Sequence, residues 1–241
     1  MAEAAAMEPA RDGSSVPVVC AVLVALVVFS AIRSPVPGVN EPHFLAKARH
    51  LVDPDWCPHD FFLESSNPHL AFYVLVGPLT RLFPLAVAAW IGRVLALLLL
   101  ATGWVALTRR LIPGTWSAWP AICVFLLASA IGHISGEWVV GGVEAKVFAY
   151  GLLLWSAAAA IDTRGRRAAV FTGLAISMHP IVGGWGLACG LFASGTRRLF
   201  RPIDRATGPH HPFFEWFIRG ALLTAAALPG LLPAIGLLGR G

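Results

Sequence analysis

The sequence predicts an all-α integral membrane protein, a polytopic helical bundle of about six or seven transmembrane segments with a long first extracytoplasmic loop. Of its 241 residues, 57% are hydrophobic and only 13% are charged, and the mean hydropathy is +0.71, which excludes an ordinary soluble globular domain. Apolar runs near the ~20 residues of a spanning helix recur along the chain. Arginines cluster between these runs.

The first apolar run, residues 16–32, follows a short tail at residues 1–15 that carries Arg11. This arrangement resembles a signal peptide, but no small-x-small cleavage site follows the run. We therefore expect an uncleaved anchor with residues 1–15 in the cytoplasm. Residues 16–241 then form a single polytopic domain in the inner (plasma) membrane.

Five further apolar runs follow, at residues 85–107, 119–134, 147–161, 168–193 and 221–238. The basic clusters between them are Arg109 and Arg110, then Arg164, Arg166 and Arg167, then Arg197, Arg198, Arg201 and Arg205. The positive-inside rule places all three clusters in the cytoplasm. Topology therefore accounts for the net charge of +5, and no nucleic-acid partner is indicated.

That placement decides how residues 71–83 are interpreted. A full span there would carry the first basic cluster to the outside, so we expect a short interfacial helix containing Pro78 and Arg81. The stretch 33–84 then forms the first extracytoplasmic loop.

The same argument requires a break in the middle of residues 168–193. The segment MHPIVGGW at residues 178–185 supplies one, because proline disfavours the helical conformation at the preceding residue and the glycine pair weakens the following helix. Broken helices persist at membrane depth only where the freed backbone is buried in protein or lines a wet cavity.

This topology collects ionisable side chains on one aqueous face, and that convergence is the main functional signal. They are Glu41, His43, His50, Asp53, Asp55, His59, Asp60, Glu64, His69, His133, Glu137, Glu144 and His179. Glu41 lies in a segment that Gly38 and Pro42 are expected to restrict to a turn. It could take a proton from a sugar hydroxyl, share a divalent cation with His43, or simply cap a helix start.

Asp60 lies in the segment DPDWCPHDFF, where acids are interleaved with Trp56, Phe61 and Phe62. Such a surface suits sugar binding or a membrane interface, although a single acid is more often solvated than functional. The cysteines show no disulfide framework or CxxC zinc pattern, and we expect Cys20, Cys57, Cys123 and Cys189 to be packing residues. The sequence identifies neither a metal nor an oligomeric state.

Four residues near the apolar runs complete the candidate site. Glu144 opens a helix after a glycine pair, and an acid so close to the bilayer is costly without a partner. Lys146 either extends to the interface or binds a lipid phosphate. Arg93 lies inside a span, where it costs roughly 2.5–3.5 kcal/mol, so it reaches the outer surface or pairs with Glu41, Glu144 or a phosphate. His179 is a core histidine or contacts a substrate or metal.

The order of these features resembles the GT-C superfamily of multipass glycosyltransferases, which take a sugar from a polyprenyl-phosphate carrier. In this chain the order is an anchor, a loop with an early acid, the NPHL patch at residues 67–70, and a span with an Ala-x-x-x-Gly-Arg stretch that ends in Arg-Arg. More narrowly, GVNEPHFL, WCPHDFFLES, GGVEAKVFAY and MHPIVGGW, between residues 38 and 185, resemble an uncharacterised bacterial family of multipass membrane proteins with GT-C-like architecture.

The resemblance implies that Glu41 acts as general base or metal contact. The position of Glu144 close to the bilayer makes it, independently of the resemblance, the second candidate catalytic residue. The implied mechanism places the phosphate of the lipid-linked sugar near Arg93 or Lys146, and the residue arguments add His43, Asp60 and His179 as candidate substrate contacts. Many GT-C members show an Asp-Glu or Glu-x-Asp pair where this chain has Glu41 between Asn40 and Pro42. GT-C enzymes also generally have more spans and a C-terminal soluble domain, so a truncated or inactive member is an alternative.

Two other functional classes fit the same residues. A transporter is indicated by the broken helix near His179 and by the intramembrane Arg93. A non-catalytic membrane scaffold would dock a partner through Trp56, Phe61 and Phe62.

Overall fold

A computed structural model describes residues 15–38, 40–132, 139–200 and 212–238, and for residues 197–200, 212–213 and 237–238 it describes the backbone alone. This part of the chain forms ten helices and no strand, which confirms the all-α prediction. They are α1 (Val16–Arg33), α2 (Glu41–Val52), α3 (Phe61–Glu64), α4 (Leu70–Leu82), α5 (Leu85–Leu111), α6 (Ala118–Ile131), α7 (Ala145–Ile161), α8 (Gly165–Met178), α9 (Pro180–Phe200) and α10 (Pro212–Leu238).

Three of these helices are long and apolar enough to cross a membrane: α1, α5 and the part of α10 at Phe214–Gly236. Helices α4, α6 and α7 are apolar but shorter. Along α1, Val24, Val28 and Ile32 are at least half exposed, and their four-residue spacing gives one apolar face that is suited to lipid. The predicted membrane association is therefore supported by three helices.

The expectation that the cysteines pack in the interior is wrong. Cys20, Cys57, Cys123 and Cys189 are free and exposed. Three of them lie on outward faces of α1, α6 and α9, where a small apolar thiol is as compatible with lipid as with a protein core.

Helices α5 and α7 run parallel. Near their starts, Gly92 of α5 lies against Val143, just before α7. At their ends, Arg110 forms an ion pair with Asp162 at 2.6 Å. Helix α8 follows α7 after a short turn and runs back along it, and α10 is parallel to α8, because Arg166 pairs with Glu215 at the start of both.

The bundle therefore has two ends of different chemistry. We call the end that holds Glu41, Glu144 and His179 the carboxylate end, and the end that holds Arg110, Asp162 and the first turn of α8 the arginine end. Glu41, Glu144 and His179 lie at the opposite end of the bundle from the first two basic clusters. The side chains of Arg197, Arg198, Arg201 and Arg205, together with His133 and Glu137, lie outside the described residues. Which end faces the cytoplasm stays a prediction.

The first loop differs from its prediction, because α2 occupies much of it. Pro42 falls in the first turn of α2, where a missing N–H breaks no helical hydrogen bond. The reading of this segment as a simple turn was therefore wrong, and the alternative of an acid at a helix start is confirmed. Helix α4 matches the predicted short helix and runs parallel to α2, with Phe44 against Phe72 and Arg49 donating to the Thr80 carbonyl at 2.6 Å.

The predicted break near Pro180 is confirmed, since α8 ends at Met178 and α9 begins after His179. The glycine pair does not end α9. Gly183 instead lies against the backbone of Ala175, which a Cβ would approach to 2.6 Å. Glycine here permits α9 to fold back closely onto α8.

The α5–α7 contact depends on two glycines, and its disruption is testable. A Cβ on Gly103 would lie 2.8 Å from the Gly151 carbonyl oxygen, and one on Gly151 would lie 2.9 Å from Leu99. We expect Gly151→Leu to lower the free energy of unfolding by about 1–3 kcal/mol or more through overpacking. Gly190→Leu is the control, because Gly190 on α9 has nothing near its Cβ position. Thermal unfolding in detergent compares them, and equal melting temperatures would contradict this role.

Candidate functional site at the carboxylate end

Glu41 is the first residue of α2, and its carboxylate is fully buried. It accepts two hydrogen bonds from Arg93, from Nε at 2.5 Å and from Nη2 at 2.6 Å. It accepts two more from backbone N–H groups, that of Gly38 at 2.5 Å and that of Val143 at 2.7 Å. Because a carboxylate offers about four lone-pair positions, these donors occupy it completely.

Arg93 lies in the third turn of α5 and is 1% exposed. Besides Glu41, its guanidinium donates to the Ser34 carbonyl at 2.6 Å and makes longer contacts, at 3.4 Å, with Ser30 and the Pro35 carbonyl. Among the predicted partners of Arg93, which were Glu41, Glu144 and a phosphate, the structure shows Glu41. The side chain does not extend to the outer surface.

Glycines make room for this ion pair. A Cβ on Gly142 would lie 2.5 Å from Cγ of Glu41, and one on Gly38 would lie 2.9 Å from Nη2 of Arg93. The Ser30 hydroxyl donates to the Gly141 carbonyl at 2.6 Å. The end of α1, the start of α2, α5 and the segment before α7 therefore meet at one buried pair.

The surroundings of Glu41 keep it ionised. Burial alone would raise the pKa of this carboxyl, but the hydrogen bonds from Arg93, Gly38 and Val143 outweigh that effect and hold the pKa below its usual range. A carboxylate with a lowered pKa and a full set of donors is a weak proton acceptor. The predicted catalytic role of Glu41 stays a prediction, and this conformation argues for a positioning role.

Glu144 lies beside the ion pair, at the N-cap of α7, and is also buried. Asn40 Nδ2 donates to its Oε1 at 3.1 Å, and Lys146 Nζ is 3.2 Å from its Oε2. The acid thus has the partner that its position close to the bilayer requires. Lys146 is itself buried, which rules out extension to the interface in this conformation.

His179, in the break between α8 and α9, stacks on His69 with ring centroids 4.6 Å apart. Its Nδ1 accepts the Val182 N–H at 3.3 Å. Burial, together with the charges of the neighbouring His179 and Lys47, lowers the pKa of His69 to about 4, against a hydrogen bond with the Met178 backbone that raises it. His69 is therefore neutral near neutral pH. Sequence reasoning placed both imidazoles on one face but did not pair them.

His43 and Asp60 occupy the exposed part of this end. Asp60 is the N-cap of α3 and accepts from the N–H groups of Phe62 at 3.0 Å and Leu63 at 2.9 Å. The ring of His43 packs edge-on against Phe62. Neither residue joins the buried group, so the structure separates these two predicted substrate contacts from Glu41, Glu144, Arg93 and Lys146.

Lys47 is a buried cation near His69 that the sequence analysis did not single out. It is buried and donates to both Ser65 oxygens, Oγ at 2.8 Å and the carbonyl at 3.0 Å, and to the Ser66 carbonyl at 2.8 Å. Helical periodicity gives no signal for it, because Lys47 lies two residues after Leu45 and so points away from the buried stripe of Glu41, Leu45 and Ala48. Its burial comes from contacts with Ser65 and Ser66.

The arrangement does not fit the divalent cation considered for Glu41 and His43. Both carboxylate oxygens of Glu41 are bound to a guanidinium, while His43 is exposed. Within residues 15–38, 40–132, 139–200 and 212–238, no group of three or more His, Cys, Asp or Glu residues could hold a metal ion.

Comparisons with known proteins give no relative: no family model, no curated protein and no solved structure matches this chain.

Removing one member of the buried pair should be costly. Glu41→Gln leaves the Arg93 guanidinium without a counter-charge, and we expect about 3–5 kcal/mol lower stability. Replacing both partners, as Glu41→Leu with Arg93→Met, should recover much of this loss. Asp55→Asn, at an exposed carboxylate in the same segment, is the control. Thermal unfolding in detergent measures all three, and a Glu41→Gln protein as stable as the control would refute the role of the pair.

The neutral His69 predicts a pH-dependent stability. Because its folded pKa of about 4 lies below the ordinary 6.5, its contribution is complete above pH 6.5 and is lost as the pH falls toward 4. His69→Phe keeps a ring against His179 but cannot titrate, so its melting temperature should decline less over this window. The pKa of Glu41 is also lowered, but Glu41 is present in both proteins, so its titration does not affect the comparison between them. Identical slopes for the two proteins would exclude His69 as the titrating group.

Proposed function

We propose that this protein is a multipass membrane glycosyltransferase of the GT-C kind, with six or seven membrane-spanning segments, which moves a sugar from a polyprenyl-phosphate carrier to an extracytoplasmic acceptor. The observation that carries the proposal is the buried Glu144–Lys146 pair at the start of α7, directly beside the Glu41–Arg93 pair. An acid and a cation a few ångströms apart suit a reaction that removes a proton and releases a phosphate.

In this proposal Glu144 is the general base. It takes the proton from the acceptor hydroxyl, whose oxygen attacks the anomeric carbon of the sugar in a single displacement. The bond from that carbon to the carrier phosphate breaks, and Lys146 stabilises the negative charge left on the phosphate. The electron pair of the broken bond stays with the phosphate, so charge and atoms balance. Both side chains are buried in this conformation, so the proposal requires an opening movement that admits the acceptor.

Glu41 and Arg93 would act as positioning residues. The Glu41 carboxylate binds the Val143 N–H, which fixes the backbone immediately before Glu144. The neighbouring Asn40 donates to Glu144 itself. Correct placement of the base therefore depends on the pair even though the pair makes no contact with substrate.

A scaffold role is the second candidate, and one observation favours it. Phe61, in the short helix α3, is 91% exposed, whereas Phe62 packs against His43 and beneath the Lys47 ammonium group. An aromatic ring exposed to this extent would serve as an anchor for a partner. Removing the Phe61 ring, as in Phe61→Ala, should then abolish partner capture.

The test is sugar transfer by the purified protein with a radiolabelled polyprenyl-phosphate sugar. Glu144→Gln should lower the transfer rate by roughly 10²–10⁴-fold, the usual contribution of a general base, while Asp55→Asn retains it. A melting curve of each variant checks that the fold is intact. Unchanged transfer in folded Glu144→Gln would refute the role of Glu144. Absent transfer with substrate flux in liposomes would favour a transporter, and absent transfer with partner capture lost in Phe61→Ala would favour the scaffold.

A further inference from the structure

A cavity of about 360 Å³ lies at the arginine end, between the last turns of α5 and α7 and the first turns of α8. Its interior is apolar, with Trp155 of α7, Val170 and Phe171 of α8 and Leu222 of α10 among the lining residues. Its size falls within the range of small-molecule sites.

The rim of this cavity is cationic. It carries the guanidinium groups of Arg110, Arg164, Arg166 and Arg167 and the carboxylate of Asp162. Asp162 binds Arg110 at 2.6 Å and lies 3.7 Å from Arg164. Four cationic groups around one carboxylate leave an excess of positive charge at the opening.

The excess persists when the adjacent ion pairs are included. Glu215 pairs with Arg166 at 2.5 Å and with Arg219 at 3.8 Å. Five guanidinium groups then face two carboxylates, a net charge of +3. Arg167 is exposed and forms no ion pair within the described part of the chain, so it is available to an anion.

We propose that this cavity binds an anionic phospholipid, with the phosphate at Arg164 and Arg167 and the first part of an acyl chain against Trp155 and Phe171. Guanidinium groups bind phosphate through several N–H donors, and the apolar interior excludes water from the chain. Inorganic phosphate would satisfy the rim but leave the interior unused. The cavity lies at the opposite end of the bundle from Glu144 and Lys146, so the inference does not depend on the proposed sugar transfer.

The experiment measures the melting temperature of the full chain in detergent as phosphatidylglycerol, phosphatidylcholine or inorganic phosphate is added. Phosphatidylglycerol should raise the melting temperature more than phosphatidylcholine does. Arg167→Gln should weaken this binding roughly fivefold, as expected for one cation near a phosphate. Ala159→Leu, which places a larger side chain in the apolar interior, should weaken it as well. Arg81→Gln, the same charge change on α4 at the other end, should leave it unaltered.

Three results would overturn the proposal. They are equal stabilisation by the two lipids, undiminished phosphatidylglycerol binding in Arg167→Gln, and a shift that inorganic phosphate reproduces in full and that Ala159→Leu does not reduce. The last result would mean a phosphate site without a lipid chain. Arg167 is exposed and unpaired within the described residues, so its variant should fold, and the comparison stays informative if Ala159→Leu does not.

Discussion

The buried ion pair between Glu41 and Arg93 is the interaction on which the carboxylate end depends. An arginine inside a spanning helix is unfavourable by itself, and a buried carboxylate is equally unfavourable. Each is tolerated because the other neutralises it and because backbone groups supply the remaining hydrogen bonds. Breaking the pair would therefore disturb far more than one contact.

This pair also determines which groups remain for chemistry. Glu41 and Arg93 form hydrogen bonds with each other. In this conformation Glu41 is therefore not available to accept a proton, and Arg93 is not available to bind a phosphate. The neighbouring Glu144 and Lys146 repeat the combination of acid and cation at the start of α7. The Glu41–Arg93 pair thus fixes the backbone just before α7, and the Glu144–Lys146 pair lies on the residues that follow it.

Some of this arrangement could be predicted from the sequence, and the reasons are local. The all-helical fold follows from composition, the break at His179 follows from Pro180, and the need for a partner at Arg93 follows from its place in an apolar run. The identity of that partner does not, because Glu41 lies 52 residues away in the chain. Helix α2 is not predicted, because Pro42 is expected to restrict the chain to a turn, whereas it lies in the first turn of the helix. The burial of Lys47 is not predicted either, because the groups that cover it, Ser65 and Ser66, lie 18 and 19 residues away in the chain.

The four exposed thiols give the chain a property of its own. Cys57 lies in the loop between α2 and α3, at the carboxylate end, whereas Cys20, Cys123 and Cys189 lie on helices. A membrane-impermeant maleimide would therefore reach Cys57 only from the compartment that the carboxylate end occupies. The native protein thus carries a chemical marker of its own orientation in the bilayer, with no introduced cysteine needed.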